Sequence, residues 1–164
     1  MPRFVDHTVI RTNLTEHPAV TFWQALGSEK GKLQAIVVLK ERRRKDKAKS
    51  AVYRLEGVGP RGMNVVAKRC RRATAAIERT IYQDILPHLP VSTLDYFGYV
   101  EEPNSEYCWL FLEDAGGEIY VPHNREHRTA AAEWLGLMHT SAARVIAESG
   151  LPDRNPAHYM DHLE

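Results

Sequence analysis

Three groups of residues carry the clearest chemical potential: Lys68, Glu78, and the connector that begins at Glu113-Asp114. Lys68 closes the run Val65-Val66-Ala67, whose branched apolar character reads as a strand. Side chains alternate along a strand, so Val66 and Lys68 share one side while Val65 and Ala67 share the other. An ammonium at the edge of a buried strand needs an anionic partner, because an unpaired charge there is costly. Glu78 offers one. It stands beside Ile77 in a segment where Ala73, Ile77, Ile81 and Ile85 recur every fourth residue, the spacing of one helix face. A strand lysine held by a helix glutamate is fixed in place to reach the phosphates of a nucleotide. The third group follows Trp109-Leu110-Phe111-Leu112, an apolar strand that opens into Glu113-Asp114-Ala115-Gly116-Gly117. Backbone N–H and C=O groups of such a connector can pair with the edge of a base, and its small residues let the backbone approach.

These groups need a scaffold, and the pattern along the chain supplies one. Residues 1–32 read as a polar N-terminal extension around one short helix, with Pro18 near its start and Phe22, Trp23 and Leu26 as apolar contacts. Residues 33–115 form the main lobe. Strands are expected at Leu33 to Leu39, Ala51 to Leu55 and Asn64 to Lys68, with turn signals at Gly57, Gly59-Pro60 and Gly62. A helix along Ala73 to Ile85 follows, stopped by Pro87 and Pro90. Two more strands run from Thr93 to Val100 and from Tyr107 to Leu112. The expected fold class is α+β: a five-stranded antiparallel sheet with one packed helix. Residues 116–164 begin a helical segment, in which His127, Ala131, Trp134, Met138 and Ala142 share one face and Leu135 widens it. The last helix start, at Asn155-Pro156, has no terminating signal before Glu164, so the helical lobe reads as incomplete.

Taken in order, strand-Lys68, helix-Glu78, the Leu110 to Asp114 segment and a later helix bearing Leu135-Gly136-Leu137-Met138-His139 resemble the aminoglycoside phosphotransferase family. That family includes choline- and homoserine-kinase-like relatives and shares the protein-kinase fold. The resemblance spans roughly Leu33 to Gly150. It implies an N-terminal kinase-like lobe that binds ATP, with Mg²⁺ in a complete enzyme, and transfers the γ-phosphoryl group to a hydroxyl on a small-molecule acceptor. By the same resemblance Lys68 contacts the α- and β-phosphates and Glu78 holds it. Val66 lines the base pocket, Leu112, Glu113, Asp114 and Ala115 carry the adenine, and Lys47 to Ser50, with Lys49 and Ser50, lies over the phosphates. Two departures stand out. The basic segment Arg42 to Ser50 has no Gly-x-Gly-x-x-Gly, and no His-x-Asp is followed five residues later by Asn. The catalytic base and the metal ligands of the family are therefore not in this sequence, and the chain alone is expected to be inactive.

Composition narrows the remaining possibilities. The chain has 164 residues, of which 43% are hydrophobic and 26% charged, as in a globular domain. Twenty-two Lys and Arg against 21 Asp and Glu leave a net charge of +1, which argues against a protein built to hold nucleic acid or an anionic membrane. The basic run Arg42 to Lys49 reads as a solvated loop. No signal-peptide pattern surrounds Asp6, His7, Thr8 and Arg11, and Cys70 and Cys108 read as reduced thiols, so the cytoplasm is the expected compartment. The pairs His123/His127 and His158/His162 have ligand spacing but no third ligand, and are expected as surface or capping residues. An apolar face around Trp134 and Met138 is expected to drive self-association or docking of a second polypeptide. A non-catalytic binding or regulatory module on the same scaffold, or a gene fragment, is the competing reading.

Overall fold

The structure, a computed structural model, describes residues 8–27, 31–44, 47–117, 120–146 and 151, with side chains described at all of these except 41–49 and 144. It divides into two compact units, Met1–Arg79 with Thr93–Ile119, and Thr80–Ser92 with Tyr120–Glu164. The class is α+β. Six antiparallel strands, β1 (Thr8–Ile10), β2 (Ala35–Arg44), β3 (Lys47–Glu56), β4 (Val65–Arg71), β5 (Tyr96–Glu101) and β6 (Tyr107–Glu113), lie in the order β1-β2-β3-β4-β6-β5. Helices α1 (Pro18–Ala25) and α2 (Arg72–Thr80) accompany the sheet, and α3 (Arg125–Ile146) belongs to the second unit. Among the described residues, no helix is long and apolar enough to cross a membrane.

Strand alternation explains the core of the first unit. Ile36, Ala51, Tyr53, Leu55, Val65, Ala67, Trp109 and Phe111 are buried on one sheet face, where Ala19, Val20 and Trp23 of α1 pack against them. Helix α1 starts as its residues dictate: Pro18 takes the first helical position, and the His17 Nδ1 accepts the Ala19 N–H at 3.2 Å. On the other face Cys70, Cys108 and Leu110 meet Ala75 of α2, with Tyr96 and Tyr99 beside them. Ala75 is fully buried, and its small side chain lets the helix backbone lie close to the strands.

Several expectations are corrected. The sheet has six strands rather than five. The added β1 is only three residues, too short to show periodicity, and it is made by pairing Thr8, Val9 and Ile10 with Val38, Val37 and Ile36. The basic segment expected to form a loop over phosphates is strand instead. Arg42 pairs with Ser50, Arg43 with Ala48 and Arg44 with Lys47, while Lys45 and Asp46 lie outside the described residues. From the Ile36–Leu55 pair the backbone ladder continues past the apolar residues, with register shifts between Val38 and Lys40 and between Arg42 and Arg43, because main-chain pairing does not depend on side-chain polarity. The helix expected along Ala73 to Ile85 ends at Thr80, and Ile81–Ile85 forms a π turn before a 3₁₀ turn at Leu86–His88. Pro87 has no N–H to donate, and its ring presses on the carbonyl four residues back, so the turn before it widens.

In the second unit Asn124 caps α3, accepting the Glu126 N–H at 2.9 Å. Ile85, Leu86, Leu89 and Ala142 are buried there, with Trp134, Met138 and Val145 packed against them. The indole N–H of Trp134 donates to the Ser92 carbonyl at 2.9 Å. Trp134 and Met138, expected as an uncovered face, are half-buried, and Leu135, expected to widen the apolar stripe, is exposed with Leu137 and Ile146. Trp134, Met138 and Ala142 pack in one cluster with Ile81, Ile85, Leu86 and Leu89, and a cavity of about 400 Å³ remains between Ile81, Ile85, Met138 and Ala142.

Candidate functional site

Lys68 sits in the interior of the sheet, opposite Val52 on β3 and Leu110 on β6. Its face is set by Val65 and Ala67, which turn to the α1 side and are fully buried there. Two residues along the same face, Cys70 meets Ala75 of α2. Glu78 follows Ala75 by three residues and so shares its side of the helix. The Lys68 Nζ accordingly donates to the Glu78 Oε1 at 2.5 Å, with the two side chains 32% and 21% exposed. The ammonium is partly shielded from water and still accessible. The pair also marks the neighbouring thiol: Cys70 is pushed up to about 11, first by burial and then by the Glu78 carboxylate, with Lys68 opposing.

Val66 and Leu112 are direct register neighbours on the face of Lys68, Val66 half-buried and Leu112 buried. Ser50 stands two residues along β3 from Val52, at the start of the two-stranded ribbon. Lys49 lies on β3, and its side chain is outside those described. The structure therefore brings Lys68, Glu78, Val66 and Leu112 together and does not join Ser50 to them by any hydrogen bond among the described residues.

The connector after β6 is more tightly held than its composition suggests. Glu113 donates its N–H to the Asp95 carbonyl at 2.8 Å, and its side chain accepts the Asp95 N–H at 3.0 Å. The carboxylate thus takes the donor that the ladder would otherwise give to the Glu113 carbonyl. Asp114 donates its N–H to the Asn64 carbonyl at 3.3 Å, and its carboxylate pairs with the guanidinium of Arg54. Among the described residues the Ala115 N–H has no hydrogen-bond partner. Glu113 and Ala115 thereby offer an acceptor and a donor two residues apart, on backbone rather than side chains. Sequence reasoning assigned Asp114 to a base and passed over Arg54 and Asn64. The available signal was Arg54 itself, the one charge within Ala51-Val52-Tyr53-Arg54-Leu55.

The opposite face holds a cleft of about 820 Å³ lined in part by Phe22, Tyr53, Arg69, Tyr107 and Trp109. Its charges are satisfied internally. Arg69 donates to Glu102 at 2.5 and 2.7 Å, Trp109 Nε1 donates to Glu102 at 2.8 Å, and Ser105 adds a third donor at 3.1 Å. The Arg69 guanidinium holds the Glu102 carboxyl below its ordinary value, and Glu102 raises Arg69 in return. Size alone does not make this cleft the chemical centre, because the Glu102 carboxylate in it is already engaged by Arg69, Trp109 and Ser105. Of the histidine pairs, His127 accepts the Val121 N–H at 3.0 Å ahead of α3, while His158 and His162 lie outside the described residues. No group of three or more His, Cys, Asp or Glu able to hold a metal occurs among the described residues. No protein-family model, curated protein or solved structure matches the chain.

Proposed function

We propose that this chain is the nucleotide-binding part of a small-molecule phosphotransferase with a protein-kinase-like fold. The observation that carries the reading is the Lys68–Glu78 pair: a half-shielded ammonium on a central strand, fixed by a helix carboxylate at 2.5 Å. Such an ammonium contributes by charge and position rather than by covalent chemistry, which is what phosphate binding requires. The base is carried by the Glu113 carbonyl and the Ala115 N–H, with Val66 and Leu112 beneath it. Glu113 is opposite Val65, three residues from Lys68 along β4. At the strand rise this is roughly 10 Å, suited to a ribose and the first phosphates. In a complete enzyme the γ-phosphoryl group passes to a hydroxyl on a small molecule.

Mg²⁺ enters this reading only as an ion carried on the nucleotide's own phosphates, since the described residues offer no ligand set for it. The sequence also lacks the His-x-Asp and Asn of the catalytic loop, so these residues bind nucleotide without transferring it. The test is equilibrium binding of a fluorescent ATP analogue to the native chain and to Glu78→Ala. At least tenfold weaker binding by the variant is expected, and equal affinity would remove the pair from the site.

A further inference from the structure

Arg54 is a charge on an interior strand. It lies opposite Val37 on β2 and Val66 on β4, at alternating positions with the buried Tyr53 and Leu55, and so belongs to the face that carries Lys68. A guanidinium in that place needs a partner, and it finds Asp114 across 60 residues of chain. The Nε pairs with one carboxylate oxygen, and Nη2 approaches the other at 3.5 Å. The Asp114 side chain is only 10% exposed, although it stands in a polar connector. Its Oδ1 also accepts the Gly116 N–H at 3.2 Å, and its own N–H is tied to the Asn64 carbonyl. Asn64 is tied in turn, because its side-chain oxygen accepts the Gly57 N–H at 3.1 Å.

The result is a backbone held on both sides of Ala115 and left open at Ala115 itself. Two glycines follow it. Gly116 and Gly117 have φ of +59° and +77°, and an added Cβ at either would meet nothing within 4 Å. Glycines in open space lose much conformational freedom on ordering, so a single strong tether decides whether this segment holds one geometry. We infer that Arg54 is the positioning residue of the base-binding segment: through Asp114 it fixes the Glu113 carbonyl and the Ala115 N–H in one geometry. This inference rests on the nucleotide reading above and adds a prediction of selectivity. A carbonyl followed by an N–H matches adenine, which offers an amino donor beside a ring acceptor. Guanine presents the reverse order and leaves both backbone groups facing like partners.

The test compares competition binding of ATP, GTP and inorganic tripolyphosphate to the native chain, to Arg54→Met and to the double variant Arg54→Met/Asp114→Asn. The double variant removes both charges, so it folds without a stranded carboxylate, and circular dichroism melting checks this. The expected result is about a tenfold loss of ATP affinity in both variants, with tripolyphosphate affinity within about twofold and the preference for ATP over GTP abolished. Arg54→Lys, with one donor in place of the fork, is expected to recover part of the preference. Equal losses for ATP and tripolyphosphate, or an unchanged ATP-to-GTP ratio, would overturn the role of Arg54 while leaving the nucleotide site standing. Failure of the native chain to bind ATP would overturn both.

Discussion

The Arg69–Glu102 pair allows a quantitative test of how the first unit is held together. Two charge-assisted hydrogen bonds of 2.5 and 2.7 Å join the groups, and the side chains are 19% and 15% exposed. The guanidinium also lies 3.9 Å from the centre of the Tyr107 ring, and Glu102 accepts the Trp109 indole N–H. Replacing Glu102 by Gln leaves a largely shielded cation without its counter-charge, and replacing Arg69 by Met strands the carboxylate. Hydrogen bonds to charged groups contribute roughly 1.5–3 kcal/mol when one partner is removed. Allowing for the water that still reaches the pair, the expected coupling is about 2 kcal/mol. The assay is urea unfolding of the native chain, Arg69→Met, Glu102→Gln and the double variant at neutral pH. The same cycle on Arg71 and Glu106, which lie 3.6 Å apart and are 54% and 59% exposed, is expected to give a coupling close to zero. A coupling for Arg69 and Glu102 below about 0.5 kcal/mol would refute the reasoning, because the pair would then behave as an exposed one.

Two further outcomes follow from the titrating groups. Glu102 has its folded value lowered, first by the Arg69 hydrogen bond, so its stabilisation is complete above the ordinary 4.5 and fades as pH falls through the lowered value. Acid titration of stability should therefore be shallower in Glu102→Gln, and identical slopes would count against the pair. Cys70 is raised from 9.0 to about 11 and Cys108 is raised as well, both chiefly by burial. Stability from Cys70 is present below 9.0 and is lost as pH rises toward 11, and that from Cys108 is likewise lost as pH rises above 9.0. At pH 8 neither thiol should react quickly with an aromatic disulfide reagent until the chain is unfolded, and rapid reaction of the folded chain would show that the sheet face under Ala75 is open.

How far the sequence anticipates this molecule depends on whether a signal is local or needs register. Alternation in Val65-Val66-Ala67-Lys68 sufficed to orient Lys68, because one strand carries its own two-residue period. Glu78 was legible for a related reason: it flanks an apolar helix face, and a charge at such a border seeks an opposite charge. Register is different. The tie between Arg54 and Asp114 depends on how β3, β4 and β6 slide against one another, and no single segment holds that information. Asp114 was therefore legible only as part of the connector, and the engagement of its carboxylate by Arg54 of the sheet was not. The basic ribbon read as a loop because charge and polarity normally mark loops, yet a ladder anchored by Ile36 and Leu55 runs on past the apolar residues. Strand β1 lay below the length at which a pattern is visible. In α3 the apolar face was legible at Trp134, Met138 and Ala142 and overextended at Leu135, since its width depends on how much partner surface the chain provides.

Thermal unfolding of the native chain and of Lys68→Ala, each with and without millimolar Mg-ATP, tests the nucleotide site most directly. A ligand held only by the folded state at about 100 times its Kd adds roughly 2.7 kcal/mol. For a chain of this size that corresponds to a rise of about 5–10 °C in Tm. The native chain is expected to show such a rise and Lys68→Ala to show almost none. No rise in the native chain, or an equal rise in both, would contradict a site built on Lys68.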